Sequence, residues 1–380
     1  MADAFWGAIM GERTSARGAD LPTIRACRVR QLVVPFAQPL RTASGTMPAA
    51  PMILLDLHTS AGVTGHAYLF TYTPTALRAV AALCEDVTAQ LAGAALAPRQ
   101  VMAGLRARFR LLGSVGLLDM ALSAIDMALW DAWAKFLGQP LAALLGADLS
   151  ANDRVRAYAS YGMEDREQIV RHVGAALEQG FGFVKIKIGH ASLATDLEIV
   201  EAALAAMQGR AALLVDYNQS LSVAEAVVRC KALDGYGLAW IEEPTRYDDL
   251  HGHAQIAATV DTPIQLGENL WGPAQIGESL RAGASDLMMP DLGKVGGVSG
   301  WLDATSLCGA RSVPVSNHFY QEVSAHLMTV TPGAHLLEYF RMAEPILMEP
   351  VEVVHGHVRV PRRPGHGMAW NEEQVRRYLA

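Results

Sequence analysis

From Arg154 onward the chain repeats one pattern, a short β-rich run followed by a stretch of helical length. The runs are VRAYAS, FVKIKIG, ALLVDYN, LAWIEEP, PIQLGEN, DLMMPD, VPVSNH and HLLEYF. Parallel strands need a long crossover between them, usually a helix, so this alternation predicts a parallel sheet. Eight units closing on themselves make an α/β fold of the (β/α)8 barrel type. A doubly wound open sheet is the rival, but such sheets usually place glycine-rich turns at their strand ends. Most of these runs instead carry a charged or ionisable residue there. In a barrel, that polar end is the face on which sites are built.

The first 150 residues have a different rhythm. Residues 1–20 read as a loose tail, with scattered charges and no apolar core of the kind a secretory signal needs. IRACRVRQLVV and PMILLDLHTS are strand-like, joined by a Pro-, Ala-, Ser- and Gly-rich segment from Gln38 to Pro51 that reads as a flexible loop. LLDMALSAIDMALWDAWAKFL then recurs at helical spacing. The expected division is an α+β capping domain over residues 21–150, a barrel over 151–345 and a C-terminal return to the cap over 346–380. Hydrophobic residues make up 51% and charged ones 18%, which suits a compact enzyme. A net charge of −7 with no basic run argues against a nucleic-acid surface. No apolar run reaches membrane-spanning length. Cys27, Cys84, Cys230 and Cys308 are far apart and form no C-x-x-C pair, so the cytoplasm is the expected compartment.

Asp216, Glu242 and Glu268 fall at the ends of three consecutive predicted strands. One such carboxylate is commonly a helix cap. Three brought together at a barrel mouth would repel unless a hard cation neutralised them, and Mg²⁺ is the natural candidate. Asn218 and Asn269 stand close enough in sequence to orient those ligands. Lys185 and Lys187 alternate along one strand and share a face. Facing the barrel interior, each would depress the other's pKa and make one a usable base; facing solvent, they would be ordinary surface lysines. His318 ends the seventh run and Asp291 the sixth, a pairing that would orient an imidazole. Glu338 on the eighth would donate a hydrogen bond to a developing oxyanion if protonated. The glycine-rich GKVGGVSG, Gly293 to Gly300, fits neither phosphate-binding spacing and reads as a tight strand-to-helix turn. The His251/His253 and His355/His357 pairs read as solvated loop residues.

These segments in this order resemble the enolase superfamily, and within it the mandelate racemase subgroup. VKIKIG is similar to that subgroup's K-x-K strand, and VDYNQSL, WIEEPT and GENLWGP to its metal-ligand segments. MPDLGKVGGVSGW and SNHFYQEVSAH are similar to the segments bearing its Asp and His, and HLLEY to the one bearing its Glu. The resemblance implies a modified barrel capped by an α+β domain, with the C-terminal tail completing the cap and with assembly into homo-oligomers. It assigns Asp216, Glu242 and Glu268 to Mg²⁺, Lys187 to proton transfer on one substrate face, and His318, held by Asp291, to the other. Lys185, Glu338 and Ser160 would bind the carboxylate of a small-molecule substrate, with Asn218 nearby. Leu40, Ala43, Ser44, Met47, Phe70, Tyr72, Phe319 and Phe340 would form a largely apolar pocket. Arg41 would pair with a second acidic group or point to water. The expected activity is racemisation of mandelate or a similar apolar 2-hydroxy acid. Dehydration of an acid sugar by the same bases is the alternative, and a silent ligand-binding barrel is a third.

Overall fold

The computed structural model describes residues 21–380, and the tail over 1–20 lies outside them. Three antiparallel strands open the fold: β1 (Ile24–Thr42), β2 (Gly45–Thr59) and β3 (Thr64–Phe70), in the order β1-β2-β3. The segment from Gln38 to Pro51, read as a flexible loop, is instead a continuation of the β1–β2 ladder. Leu40 pairs with Met47 and Thr42 with Gly45, and the register shifts between Pro35 and Leu40. Proline donates no ladder bond, so the irregularity falls near Pro35, and the hairpin beyond it leans over the barrel mouth.

The helix Leu117–Phe136 packs on this sheet. It is apolar on nearly every face because it is covered on nearly every face, by the cap sheet and by the barrel helix Gly297–Gly309. Its buried acids tie those layers together. Asp126 accepts from the Ser299 backbone at 2.8 Å and its hydroxyl at 2.6 Å. Asp131 accepts from the backbone nitrogens of His66 and His366, at 2.8 and 3.0 Å. The C-terminal end returns to this seam, where the Trp370 indole donates to Asp56 at 2.6 Å and Val33 N donates to Tyr378 O at 2.9 Å.

The barrel strands are β4 (Arg154–Ser160), β5 (Phe183–Lys187), β6 (Ala212–Asp216), β7 (Trp240–Glu242), β8 (Ile264–Leu266) and β9 (Leu287–Met288), each parallel to the next. The seventh predicted run contributes only isolated bridges, Met288↔Val315, Asp291↔His318 and Val315↔Ala334. A final strand, β10 (Leu337–Tyr339), pairs parallel with β4 and closes the ring. This is the modified (β/α)8 barrel with a capping sheet that the alternation and the resemblance imply. GKVGGVSG spans a short helix, Leu292–Val295, and the start of the next, with Gly296 and Gly297 at φ of +100° and +67° between them. The histidine pairs depart from their reading as solvated loop residues: His251 and His253 are helical, with His253 fully buried, and His357 lies half-buried in a short strand, His357–Arg359, so that His355 alone is an exposed turn residue. No helix among the described residues is long and apolar enough to cross a membrane.

Candidate active site

Lys185 and Lys187 both point into the barrel, 0% and 7% exposed, while Val184, Ile186 and Ile188 bury their side chains on the strand's other face. A solvent-facing strand is therefore ruled out. Two buried ammonium groups need counter-charges, and the register supplies them: Lys187 stands beside Asp216 and Asp216 beside Glu242 in adjacent strands. Lys187 Nζ donates to Asp216 Oδ2. Lys185 Nζ lies 2.8 Å from Glu242 and 3.1 Å from Glu338, with the Tyr158 ring 5.5 Å away.

The expected depression of one lysine is not what the protein's own charges produce. Burial and Lys185 pull Lys187 down, but Asp216, Glu268 and Glu242 together outweigh them and hold the ammonium above its ordinary range. For Lys185, Glu242 and Glu338 likewise overcome burial. The sequence pairs the lysines with each other, whereas the closed ring surrounds them with carboxylates from three other strands.

Asp216, Glu242 and Glu268 each offer an oxygen within 4.8 Å of the others, and all three are buried. Burial and its neighbour Asp216 push Glu242 well above the carboxylate range. Glu268 Oε2 has no hydrogen-bond partner although His318 Nε2 lies 3.3 Å away. Hard oxygen donors, clustered charge and an orphaned buried oxygen fit a Mg²⁺ ion. Asn218 steadies Asp216 through its backbone and side-chain nitrogens, at 2.7 and 3.0 Å. Asn269 Nδ2 donates to Glu268 at 3.1 Å and to Glu243 at 2.7 Å.

His318 Nδ1 sits 2.6 Å from Asp291 Oδ2, both side chains buried. Asp291 Oδ1 accepts from Gly293 N at 2.7 Å. A Cβ at Gly293 would come within 2.6 Å of the Tyr320 hydroxyl, so a small residue is required there. From the cap, Tyr72 OH donates to Asp291 Oδ2 at 3.1 Å, and burial keeps this phenol well above its ordinary pKa.

Glu338 departs from expectation. Burial alone would raise it, but Lys185, His318 and the Phe319 N–H bring its carboxyl down to about 2. In this arrangement it is an ionised acceptor and not the neutral donor the sequence suggested.

A cavity of about 370 Å³ opens between the cap hairpin and the barrel mouth. Lys187, Glu268, His318, Glu338, Ser160 and Asn218 reach it. Lys185, Asp216, Glu242 and Asp291 do not, because they lie one layer deeper or behind a partner. Leu40, Ser44, Met47, Phe70, Tyr72, Phe319 and Phe340 also line it. Ala43 does not; its methyl faces Gly189 instead. Arg41 is also outside the lining, half exposed with Glu164 at 3.9 Å. Thr42, Thr46, Gln219 and Asn269 add hydroxyls and amides to this largely apolar wall.

Two buried groups escaped the sequence reading. Glu243 should alternate away from Glu242, but its φ of +38° turns the chain at the strand end and brings it to Asn269. Lys294 was passed over inside a glycine-rich turn, yet it is 5% exposed and donates to Asn269 Oδ1 at 2.5 Å. The doubled glutamate and the lone lysine were the only signals.

Comparison with known proteins agrees with this architecture. Residues 24–146 match the mandelate racemase / muconate lactonizing enzyme N-terminal domain, and residues 168–374 match the enolase C-terminal domain-like family. An L-talarate/galactarate dehydratase from Salmonella typhimurium is 35% identical over 270 residues, 70% of this chain and 67% of the relative. The crystal structure of an enolase from Bradyrhizobium complexed with magnesium and mandelic acid superposes with a TM-score of 0.91 at 43% identity, covering 95% of this chain and 99% of that one. An L-talarate dehydratase from Polaromonas, complexed with Mg and L-glucarate, gives 0.88 at 29% identity, over 94% and 98% of the two chains. The chain belongs to the enolase superfamily.

Proposed function

We propose that this enolase-superfamily member is a Mg²⁺-dependent acid-sugar dehydratase, removing the proton next to a carboxylate and then the hydroxyl one carbon further on. The observation that carries this reading is a single cavity in which Lys187 and the Asp291-held His318 meet a wall bearing Thr42, Thr46, Gln219 and Asn218. Such hydroxyls and amides suit a polyhydroxylated chain. The dehydratase relatives support the same choice over racemisation, the activity expected from the sequence.

The roles follow from the charges. Asp216, Glu242 and Glu268 would hold Mg²⁺, whose charge would offset their repulsion, loosen Asp216's hold on Lys187 and stabilise a developing enediolate. Lys187, as free amine, removes the α-proton. Lys185 keeps Glu338 ionised and in place beside Ser160 at the carboxylate end of the cavity. His318, as imidazolium on Asp291, gives its proton to the β-hydroxyl as the C–O bond breaks. Water leaves, and the enol that remains tautomerises to a 2-keto acid. A carboxylate α-proton is a weak acid, so stabilising the developing charge is the larger part of the work.

One observation favours a second reading. Leu40, Met47, Phe70, Phe319 and Phe340 form an apolar stretch of the same wall, and the Bradyrhizobium enolase holds mandelic acid. Two bases on opposite substrate faces would then racemise an aryl 2-hydroxy acid. Incubation of the Mg²⁺-loaded protein with a panel of aldonates and aldarates separates the two. Formation of a 2-keto acid is expected; α-deuterium exchange and loss of rotation with mandelate in D₂O, without any keto product from the panel, would sink the dehydratase.

A further inference from the structure

Asp291 is the only barrel residue through which the cap touches the His318 pair in the described hydrogen-bond network. Its Oδ2 serves two donors at once, His318 Nδ1 at 2.6 Å and Tyr72 OH at 3.1 Å, and its Oδ1 is occupied by Gly293 N. Tyr72 follows β3 with φ of +59°, a left-handed conformation that a non-glycine residue adopts only when its surroundings impose it. Two contacts do so. Phe70 packs against its ring with centroids 4.6 Å apart, and Lys294 Nζ stands 4.1 Å from its centroid.

Lys294 is itself out of the ordinary. A buried ammonium is costly unless paired with a carboxylate. Its hydrogen-bond partner among the described residues is the neutral amide oxygen of Asn269; Glu243 and Glu268 act on it by charge without bonding it, and the Tyr72 ring face covers it. A desolvated ammonium over an aromatic face is a substantial attraction. Asn269 in turn is tied to Glu268 and Glu243. The lysine thus joins the carboxylate cluster on one side of the cavity to the cap tyrosine on the other.

We propose that Tyr72 is a positioning residue that orients His318 through Asp291, and that Lys294 holds the Tyr72 ring where its hydroxyl can do so. The proposal rests on His318 being a proton-transfer group, as proposed above. With the phenol in place, both acceptor positions on Oδ2 are filled, the carboxylate cannot rotate, and the imidazole keeps one orientation toward the cavity. Without it, Asp291 keeps only Gly293 N on one oxygen and His318 on the other, and the pair loses its one restraint from the cap. The arrangement makes His318 dependent on a seated cap, so that this side of the site is assembled only when the cavity is closed over. Lys187, set by barrel strands alone, carries no such dependence.

The test uses the full-length protein labelled with ¹⁵N-histidine. The His318 Nδ1–H resonance is identified by its loss in His318→Asn and followed in Tyr72→Phe, which keeps the ring, and in Lys294→Met and Lys294→Arg. Tyr72→Phe should move or broaden the resonance and speed its exchange with water by about tenfold or more, the scale of losing one hydrogen bond to a charged group. Lys294→Met should do the same to a smaller extent, and Lys294→Arg should restore it. On any acid the wild type turns over, kcat should fall by a similar factor with KM little changed. An unaltered resonance in Tyr72→Phe, with unchanged thermal unfolding, overturns the inference. Absence of turnover on every acid in the panel counts against the proposed dehydratase, while the resonance still decides the role of Tyr72.

Discussion

The two proton-transfer candidates face one cavity but are built in different ways. Lys187 belongs to β5, and its neighbour Asp216 is fixed by the ladder register of β5 and β6. His318 sits where the seventh strand is reduced to isolated bridges, and its orientation comes from Asp291 and a cap tyrosine. One side is positioned by backbone pairing and the other by side chains meeting across a seam. A ladder holds its register as long as the barrel stands. A seam holds only while both layers are seated, so the His318 side is the more easily disturbed.

The largest effect should come from the feature the two sides share. Removing the metal by chelation, or substituting Asp216→Asn, is expected to reduce turnover by about 10⁴-fold, since charge stabilisation is the main demand of the reaction. Restoration by added Mg²⁺ after chelation is the check. If turnover survives chelation, the carboxylate cluster is structural.

Next come the bases themselves. Lys187→Ala and His318→Asn should each lower turnover by about 10³-fold, within the usual range for a general acid or base. The comparison predicts a difference in what remains. His318→Asn should still exchange the substrate α-hydrogen with solvent deuterium, because Lys187 is undisturbed, whereas Lys187→Ala should show neither exchange nor elimination. Equal exchange in both variants would break the asymmetry.

The seam should weaken in acid. Burial lowers His366 to about 4 and, with His366 itself adding repulsion, His326 to about 3. In the unfolded chain both would titrate near about 6.5. Their folded values are depressed, so below pH 6.5 the unfolded chain takes up protons that the folded one refuses. Stability is therefore lost as the pH falls from about 6.5 toward 4, by about 2 kcal/mol from each histidine at pH 5. Urea unfolding at pH 7 and pH 5 measures this, and His366→Gln should flatten the slope.

Arg41→Ala should have the smallest effect. The side chain is outside the cavity lining and faces Glu164 at 3.9 Å from a 52% exposed position. Exposed pairs contribute little, so KM for any acid in the panel should stay within about twofold. A larger rise for diacids alone would mean that the cap hairpin brings Arg41 to the substrate.

Much of the protein was legible because periodicity and strand-end chemistry are local. The eight-run alternation predicts the barrel, and Asp216, Glu242 and Glu268, each at a strand end, do converge within 4.8 Å. The hairpin over Gln38–Pro51 was missed because its proline, glycine and small residues resemble those of a loop, and only pairing with the other arm makes it a ladder. Glu243 was hidden by a positive φ that alternation cannot anticipate.

Sequence by itself determined that Asp216, Glu242 and Glu268 end consecutive strands and that Lys185 and Lys187 share one face, because alternation along a strand follows from position alone. Tertiary structure alone decided their charge states and partners. Lys187 is held protonated by Asp216, Glu268 and Glu242 against burial and Lys185, Glu338 is ionised rather than neutral, and Tyr72 reaches Asp291 from another layer. Desolvation and Coulomb interactions depend on distances in space, and no spacing along the chain encodes them.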